Sequence, residues 1–199
     1  MIKMKEKKSH GVQLLIRAVV RDPDGKVISD TGRKPARSFV IQFLEALYGL
    51  FDALNLDATA TDGTEDRITA VGANLNATLM IDAAINDDVH GIVIGTGDTA
   101  ETNTDFALET QLTEGVGAGN ITHGAQVVGT AGVVGANVDL ELKRAFTNNT
   151  GSLIEVKEAG IYTLYSSWVH CIIRDVLGAT VDVPDRCSLT IIYTMRTTV

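Results

Sequence analysis

The sequence predicts a mainly β protein: an antiparallel β-sandwich with one packed α-helix and a Gly-rich loop or hairpin arm. Three observations carry that reading. Short β-branched runs bounded by turn residues recur along the chain, and Val138–Phe146 and Ser188–Thr198 alternate apolar with polar side chains. Nineteen glycines stand against three prolines, which suits many tight turns. One stretch, Ser38–Asn55, instead places apolar residues at three- and four-residue spacing.

Composition sets the outer limits. At 199 residues the chain can bury a sizeable core, and a single sandwich domain over 1–199 is expected. Within it, residues 1–11 are read as an N-terminal arm and residues 113–137 as a Gly-rich excursion. A net charge of −8 argues against a general nucleic-acid binder, because phosphate contacts need a basic face. No apolar run is long enough for a membrane span. The start, MIKMKEKKSHGVQLLIRAVV, imitates a signal peptide, but Arg17 interrupts its short apolar segment and no small-residue cleavage site follows. Lys3, Lys5, Lys7 and Lys8 are read as a solvated basic arm, with docking on an acidic neighbour as the sharper alternative. The Asn-x-Thr triplets at Asn76, Asn120 and Asn148 are then not glycan acceptors.

Taken in order, Val12–Val20 is a strand and Asp22-Pro23-Asp24-Gly25 a turn. Proline presets φ, Asp bonds its own backbone and Gly tolerates positive φ, so Lys26–Ser29 returns as the partner strand. Ser38–Asn55 is the helix, with Ser38 as N-cap and a stripe of Phe39, Val40, Phe43, Leu44, Leu47, Leu50, Phe51 and Leu54. Phe43 and Leu47 are expected to be buried against a sheet. Leu56–Asp66 reads as a loop, Arg67–Val71 and Leu75–Ala83 as two strands, and Asn86-Asp87-Asp88 as a turn. Ile92–Ile94 is a buried strand between Gly91 and Gly95, followed by a turn-rich loop that returns through Asp105-Phe106-Ala107-Leu108.

Gln111–Gly135 holds seven glycines among small and β-branched residues and no Asp, Glu, Lys or Arg from Val116 to Val138. It is read as a flexible loop or, in preference, as a long hairpin arm that orders only against a neighbouring subunit, because free glycines carry high backbone entropy and Val127-Val128 and Val133-Val134 supply strand-like patches. Val138–Phe146 puts Val138, Leu140 and Leu142 opposite Asp139, Glu141 and Lys143. Asn148-Asn149-Thr150-Gly151 is a turn, Leu153–Val156 resumes the strand, and Glu158–Tyr162 turns into the next run. Trp168–Asp175 and Ser188–Thr198 are strands linked through Leu177–Arg186, and Leu189, Ile191, Tyr193 and Met195 share one face.

Sites are sparse. Gly95-Thr96-Gly97 lacks the third glycine and following helix of a dinucleotide loop, and Asp98 and Glu101 would repel phosphate. Asp57, Asp62, Glu65 and Asp66 share a polar stretch, but their spacing departs from an EF-hand loop. Asp98, Glu101 and Asp105 have the same standing. His10, His90, His123 and His170 are scattered. Cys171 and Cys187 could face each other across an antiparallel hairpin, although two reduced core cysteines are the expectation. No triad spacing is present, and one tryptophan is few for a sugar-cleaving site. No catalytic, cofactor-binding or metal-ligating residue is therefore assigned.

Four segments, GIVIGTGDTAETNTDFALETQL, RAFTNNTGSLIEVKEAGIY, CIIRDVL and VPDRCSLTIIYTM, together resemble a module of structural virion proteins of tailed bacteriophages. The resemblance covers roughly residues 90–199, with RDPDGKVI and SFVIQFLEALYGL fitting more loosely ahead of it. It implies a non-enzymatic structural subunit of a tail, neck or head decoration, assembled in the host cytoplasm and residing in the virion. The implied partners are copies of itself and other virion proteins, with no nucleic acid, membrane, small-molecule substrate or cofactor. The alternative reading is a carbohydrate- or receptor-binding module of a tail fibre.

Overall fold

A computed structural model describes residues 11–36, 39–52, 55–69, 79–165 and 167–198. The chain is mainly β, with one helix. Its strands are β1 (Gly11–Arg21), β2 (Val27–Asp30), β3 (Lys34–Pro35), β4 (Asn55–Thr59), β5 (Glu65–Thr69), β6 (Gly91–Gly95), β7 (Thr113–Glu114), β8 (Asn120–His123), β9 (Val127–Val128), β10 (Gly132–Val134), β11 (Asn137–Thr147), β12 (Ile154–Tyr165), β13 (Trp168–Val183) and β14 (Ser188–Thr198), and its helix is α1 (Ile41–Asp52).

Two sheets face one another. The larger runs β2-β1-β14-β11-β8-β7, with β3 also on β1 and β9 and β10 also on β11; the smaller runs β13-β12-β6. A separate hairpin joins β4 to β5. Pairing is antiparallel except at the short parallel contact of β7 with β8. Period-2 alternation explains the shared core. Leu14, Ile16, Ala18 and Val20 of β1, Leu142 and Phe146 of β11, and Leu189, Ile191 and Tyr193 of β14 point inward from the larger sheet. Ile92, Ile94, Ala159, Ile161, Ile173 and Val181 meet them from the smaller one.

One side of the sandwich is closed. Residues 110–112 bond the free edge of β6, with Thr96 N donating to Thr110 O and Leu112 N to Ile94 O, and then lead into β7 of the other sheet. On the opposite side the chain after β3 crosses between the sheets, Ala36 N donating to Leu14 O and Val40 N to Ile172 O. Above that crossing the sheets stay apart, leaving a cleft of about 480 Å³ between β1, β3 and residues 175–179.

The helix differs from its expectation. Ser38 lies outside the described residues, Phe39 is in a bridge with Ile173, and regular helix begins only at Ile41. Its buried residues are Gln42, Ala46 and Gly49, small or polar groups that let the helix approach the β4–β5 hairpin and β13. Phe43 and Leu47 are only half-buried, with Phe43 stacked on Phe39 at 4.1 Å. The apolar stripe is wider than one contact face, so Ile41, Leu44, Tyr48 and Phe51 face solvent.

Five further expectations are corrected. Residues 55–69 form a hairpin where a loop was read to 66; Ala58 is the buried residue of that alternation, too weakly apolar to signal a strand. Residues 79–83 are not a strand, and the preceding 70–78 lie outside the described residues. Glu158–Tyr162 is the middle of β12 rather than a turn, and β13 runs on through Val183, so only residues 184–187 connect it to β14. The Gly-rich stretch is ordered by its own chain: β8, β9 and β10 pair in turn along β11, and Gly124 N and Gly129 N donate to Ala145 O and Glu141 O. The proposed N-terminal arm up to residue 10 lies outside the described residues, and Gly11 already belongs to β1.

Ala46→Leu should lower stability by roughly 1–3 kcal/mol through overpacking, whereas Phe51→Ala, at 85% exposure, should stay within about 0.5 kcal/mol. Urea unfolding of both variants checks the rotation of the helix, and the reverse ranking would contradict it.

Candidate functional site

The stretch after β6 is built over the outer face of the smaller sheet. Register shifts between β12 and β13, at Val156/Glu158 and at Ile161/Tyr162, explain how. Ile154 and Val156 face the core; the extra residue shifts the phase, so Ala159 and Ile161 continue inward and Glu158 points to the outer face. Tyr162 joins a second apolar cluster there with Val93, Leu108, Cys171 and Val40.

Glu158 is fully buried and accepts four hydrogen bonds. Gly97 N donates to Oε1 at 3.1 Å and Thr110 N at 2.8 Å, while Glu109 N donates to Oε2 at 3.0 Å and Arg174 Nε at 3.1 Å. Arg174 continues the network: Nη1 donates to Asp105 Oδ2 at 2.6 Å and Nη2 to Thr99 O at 3.0 Å. Asp105 also accepts from Thr102 N and Oγ1, Glu109 from Thr99 N and Oγ1, and Leu108 N donates to the Tyr162 hydroxyl at 2.6 Å. The whole 97–110 loop thus hangs on one glutamate and one arginine.

This network explains the glycines. A Cβ on Gly95 would stand 2.5 Å from Glu158 Oε1, one on Gly97 2.6 Å from the same atom, and one on Gly160 2.6 Å from Ile173 O. Gly95-Thr96-Gly97 therefore admits a protein carboxylate, with Gly97 N donating to it and Thr96 N donating to Thr110 O.

A second hub was missed by the sequence reading. Arg144 sits on the inward face of β11 at 1% exposure. Nε donates to Gly124 O at 2.8 Å, Nη1 to His90 O and Ile92 O at 2.9 Å each, and Nη2 to Ala84 O at 3.3 Å and to Asp87 O. One arginine thereby shapes residues 84–92. Only its place in the alternation, where Leu142 and Phe146 flank it inward, could have betrayed it.

The other candidates are dispersed. Asp98 pairs with Lys157 at 3.1 Å, and Asp62 accepts from Thr64 N and Oγ1. His90 faces Asp82 and Asp87, and His123 Nδ1 lies 3.0 Å from Glu114 Oε2. Burial lowers the pKa of His123, helped by Arg144, and that of His170. His10 lies outside the described residues. Among the described residues no three or more His, Cys, Asp or Glu converge as a metal would require. Cys171 and Cys187 are free thiols buried in different apolar clusters, Cys171 with Val93 and Tyr162 on the outer face of the smaller sheet and Cys187, in the 184–187 connection, in the core shared by the two sheets; the facing arrangement is corrected. Burial pushes the Cys171 thiol far up, away from nucleophilic use. The Asn148 amide is buried, donating to Ser152 O and Val183 O, and so shapes a turn.

Compared with known proteins, the chain matches no family model, no curated protein and no solved structure.

Glu158→Ala should cost about 3–5 kcal/mol, since it strands a buried guanidinium and three backbone donors. Glu158→Gln, which keeps an acceptor oxygen, should cost less; equal losses by denaturant titration would contradict the network. For Asp105, burial raises the pKa but the Thr102 bonds and Arg174 outweigh it, leaving it below the ordinary 3.8. A folded pKa below the unfolded one contributes stability above pH 3.8 that is lost as pH falls further. Asp105→Asn should therefore flatten the acid limb of the melting-temperature profile, and an unchanged limb would contradict the assignment.

Proposed function

We propose that the protein is a non-catalytic structural subunit of a phage-like virion, in the tail, neck or head decoration, acting by self-assembly. The observation that carries this reading is the outward face of α1. Leu44 is 63% and Phe51 85% exposed, with Ile41 and Tyr48 beside them, on a helix that is apolar nearly all round. Such a helix is ordinarily covered, and contiguous exposed apolar surface marks an interaction site.

A second apolar patch lies on another element. Val127, Val128, Val133 and Val134 are exposed along the outer side of β11. Two unlike patches on one framework suit heterologous contacts, in which each copy meets its neighbours through different surfaces and closes a ring or extends a tube. The buried polar hubs favour the same reading, because Glu158, Arg174 and Arg144 are committed to backbone and to one another. The motif segments that resemble virion proteins, GTG, D-F-A-L, E-A-G-I-Y and R-D, are the ones that meet at Glu158.

Native mass spectrometry of the purified chain should give a defined oligomer with other copies of itself. Leu44→Lys with Phe51→Lys should shift that mass toward the monomer at an unchanged melting temperature, since both residues are exposed. A wild-type monomer at about 50 µM, well above the Kd of a micromolar assembly, would overturn the proposal.

A further inference from the structure

We propose that α1 of one copy packs across the uncovered end of the larger sheet of the next copy, so that the two apolar surfaces are each other's partner. This rests on the self-assembly reading and names the contact through which it proceeds. Cover of the larger sheet's inner face runs out toward the start of β1. The register sets Val12, Thr197, Val138 and Val133 side by side in one row across β1, β14, β11 and β10. Alternation puts that row on the same face as Leu14, Ile16, Leu142 and Tyr193. Leu142 and Tyr193 are buried and Leu140 and Met195 half-buried, whereas Val12 is 71% and Val133 80% exposed. The inward face of the sandwich thus continues beyond the layer that covers it.

The helix fits that row in length and in chemistry. Ile41, Leu44, Tyr48 and Phe51 fall on one side of α1 in a stripe about 15 Å long at 1.5 Å per residue. Four strands side by side span about 14 Å. Large side chains on the helix meet Val and Thr on the sheet, flanked by Ala131, Gly132 and Gly135, so bulk on one surface faces shallow relief on the other. At about 200 Å² for a large apolar side chain, the exposed part of the stripe comes to roughly 500 Å². That is over half of the roughly 800 Å² per partner in a standard interface, before backbone and polar rim are counted. The sheet end also lacks the charges that keep an edge strand from associating, since no Asp, Glu, Lys or Arg occurs from Val116 to Val138.

Both surfaces are exposed in one and the same copy, so neither covers the other within the chain. The helix is held by β13 and the β4–β5 hairpin, and the row by β14 and β11. A helix laid on a sheet face is an ordinary packing of layers. Because the two surfaces differ, the contact is heterologous: each copy gives its helix to one neighbour and its sheet end to another.

The test uses two full-length variants, one with Leu44→Asp and Phe51→Asp and the other with Val12→Asp and Val133→Asp, all at exposed positions. Each alone should be monomeric by native mass at about 50 µM. Mixed, they should form a species of twice the chain mass and nothing larger, because such a pair keeps one intact helix and one intact sheet end. Either variant retaining the wild-type mass, or a mixture without the dimer, overturns the inference. If a variant melts lower than wild type, cross-linking decides instead. Leu44→Cys and Val133→Cys chains, mixed and treated with a short bis-maleimide, should give a product of twice the chain mass at least several-fold above either alone; Cys171 and Cys187 are buried. No product in the mixture overturns the inference, and an equal product from Leu44→Cys alone does so by placing helix against helix. The native mass of the wild type separates the failures. An oligomer that fails these tests overturns this inference alone, and a monomer overturns the self-assembly reading with it.

Discussion

Everything over the outer face of the smaller sheet depends on the carboxylate of Glu158. It stands at zero exposure with four donors converging on it, three of them backbone N–H groups from a loop without regular structure. A loop of that length buried against a sheet must find partners for its own polar groups. Here one acidic side chain supplies several, and Arg174 both neutralises it and carries the charge outward to Asp105. Such a buried pair is a weak source of net stability but a strong source of uniqueness, because a shifted loop strands a charge. The glycines follow from it, as only residues without Cβ can lie against the carboxylate at positions 95 and 97.

The irregularity in β12 between Val156 and Glu158 is what makes this arrangement possible. In an unbroken strand Glu158 would share a face with Val156 and enter the apolar core. One extra residue turns that cost into a platform, with the core maintained by Ala159 and Ile161. The smaller sheet thereby acquires two working faces, one packed on the larger sheet and one holding the loop and the second apolar cluster. Arg144 solves a similar problem on the other side with the opposite charge, by donating only to carbonyl oxygens.

Legibility in the sequence followed the strength of periodicity. β11 and β14 could be read because apolar and polar residues alternate along them, and β1 because it is an apolar, β-branched run ending at a Pro-Asp-Gly turn. The first strand of the β4–β5 hairpin could not, because Ala58 is too small to stand out, whereas the strand read over Arg67–Val71 overlaps β5. The helix was found, yet its orientation was hidden: a stripe rich in Phe and Leu is expected to face inward, whereas close packing selected Gln42, Ala46 and Gly49. The segment GIVIGTGDTAETNTDFALETQL is legible as a buried strand and a turn-rich loop, but what holds that loop depends on Glu158 and Arg174, distant in sequence and ordinary in composition. No local pattern announces a buried carboxylate, since the bulge that aims it leaves no turn signature.

The register of the larger sheet has a consequence for the order of folding. β1 is bonded along all eleven residues to β14, and β14 in turn to β11. Contacts between segments so distant in sequence are slow to form. Closure of this sheet is therefore a late event: until β14 is seated between its two neighbours, Leu189, Ile191 and Tyr193 are missing from the core, and Ile16 and Phe146 have no inner partner.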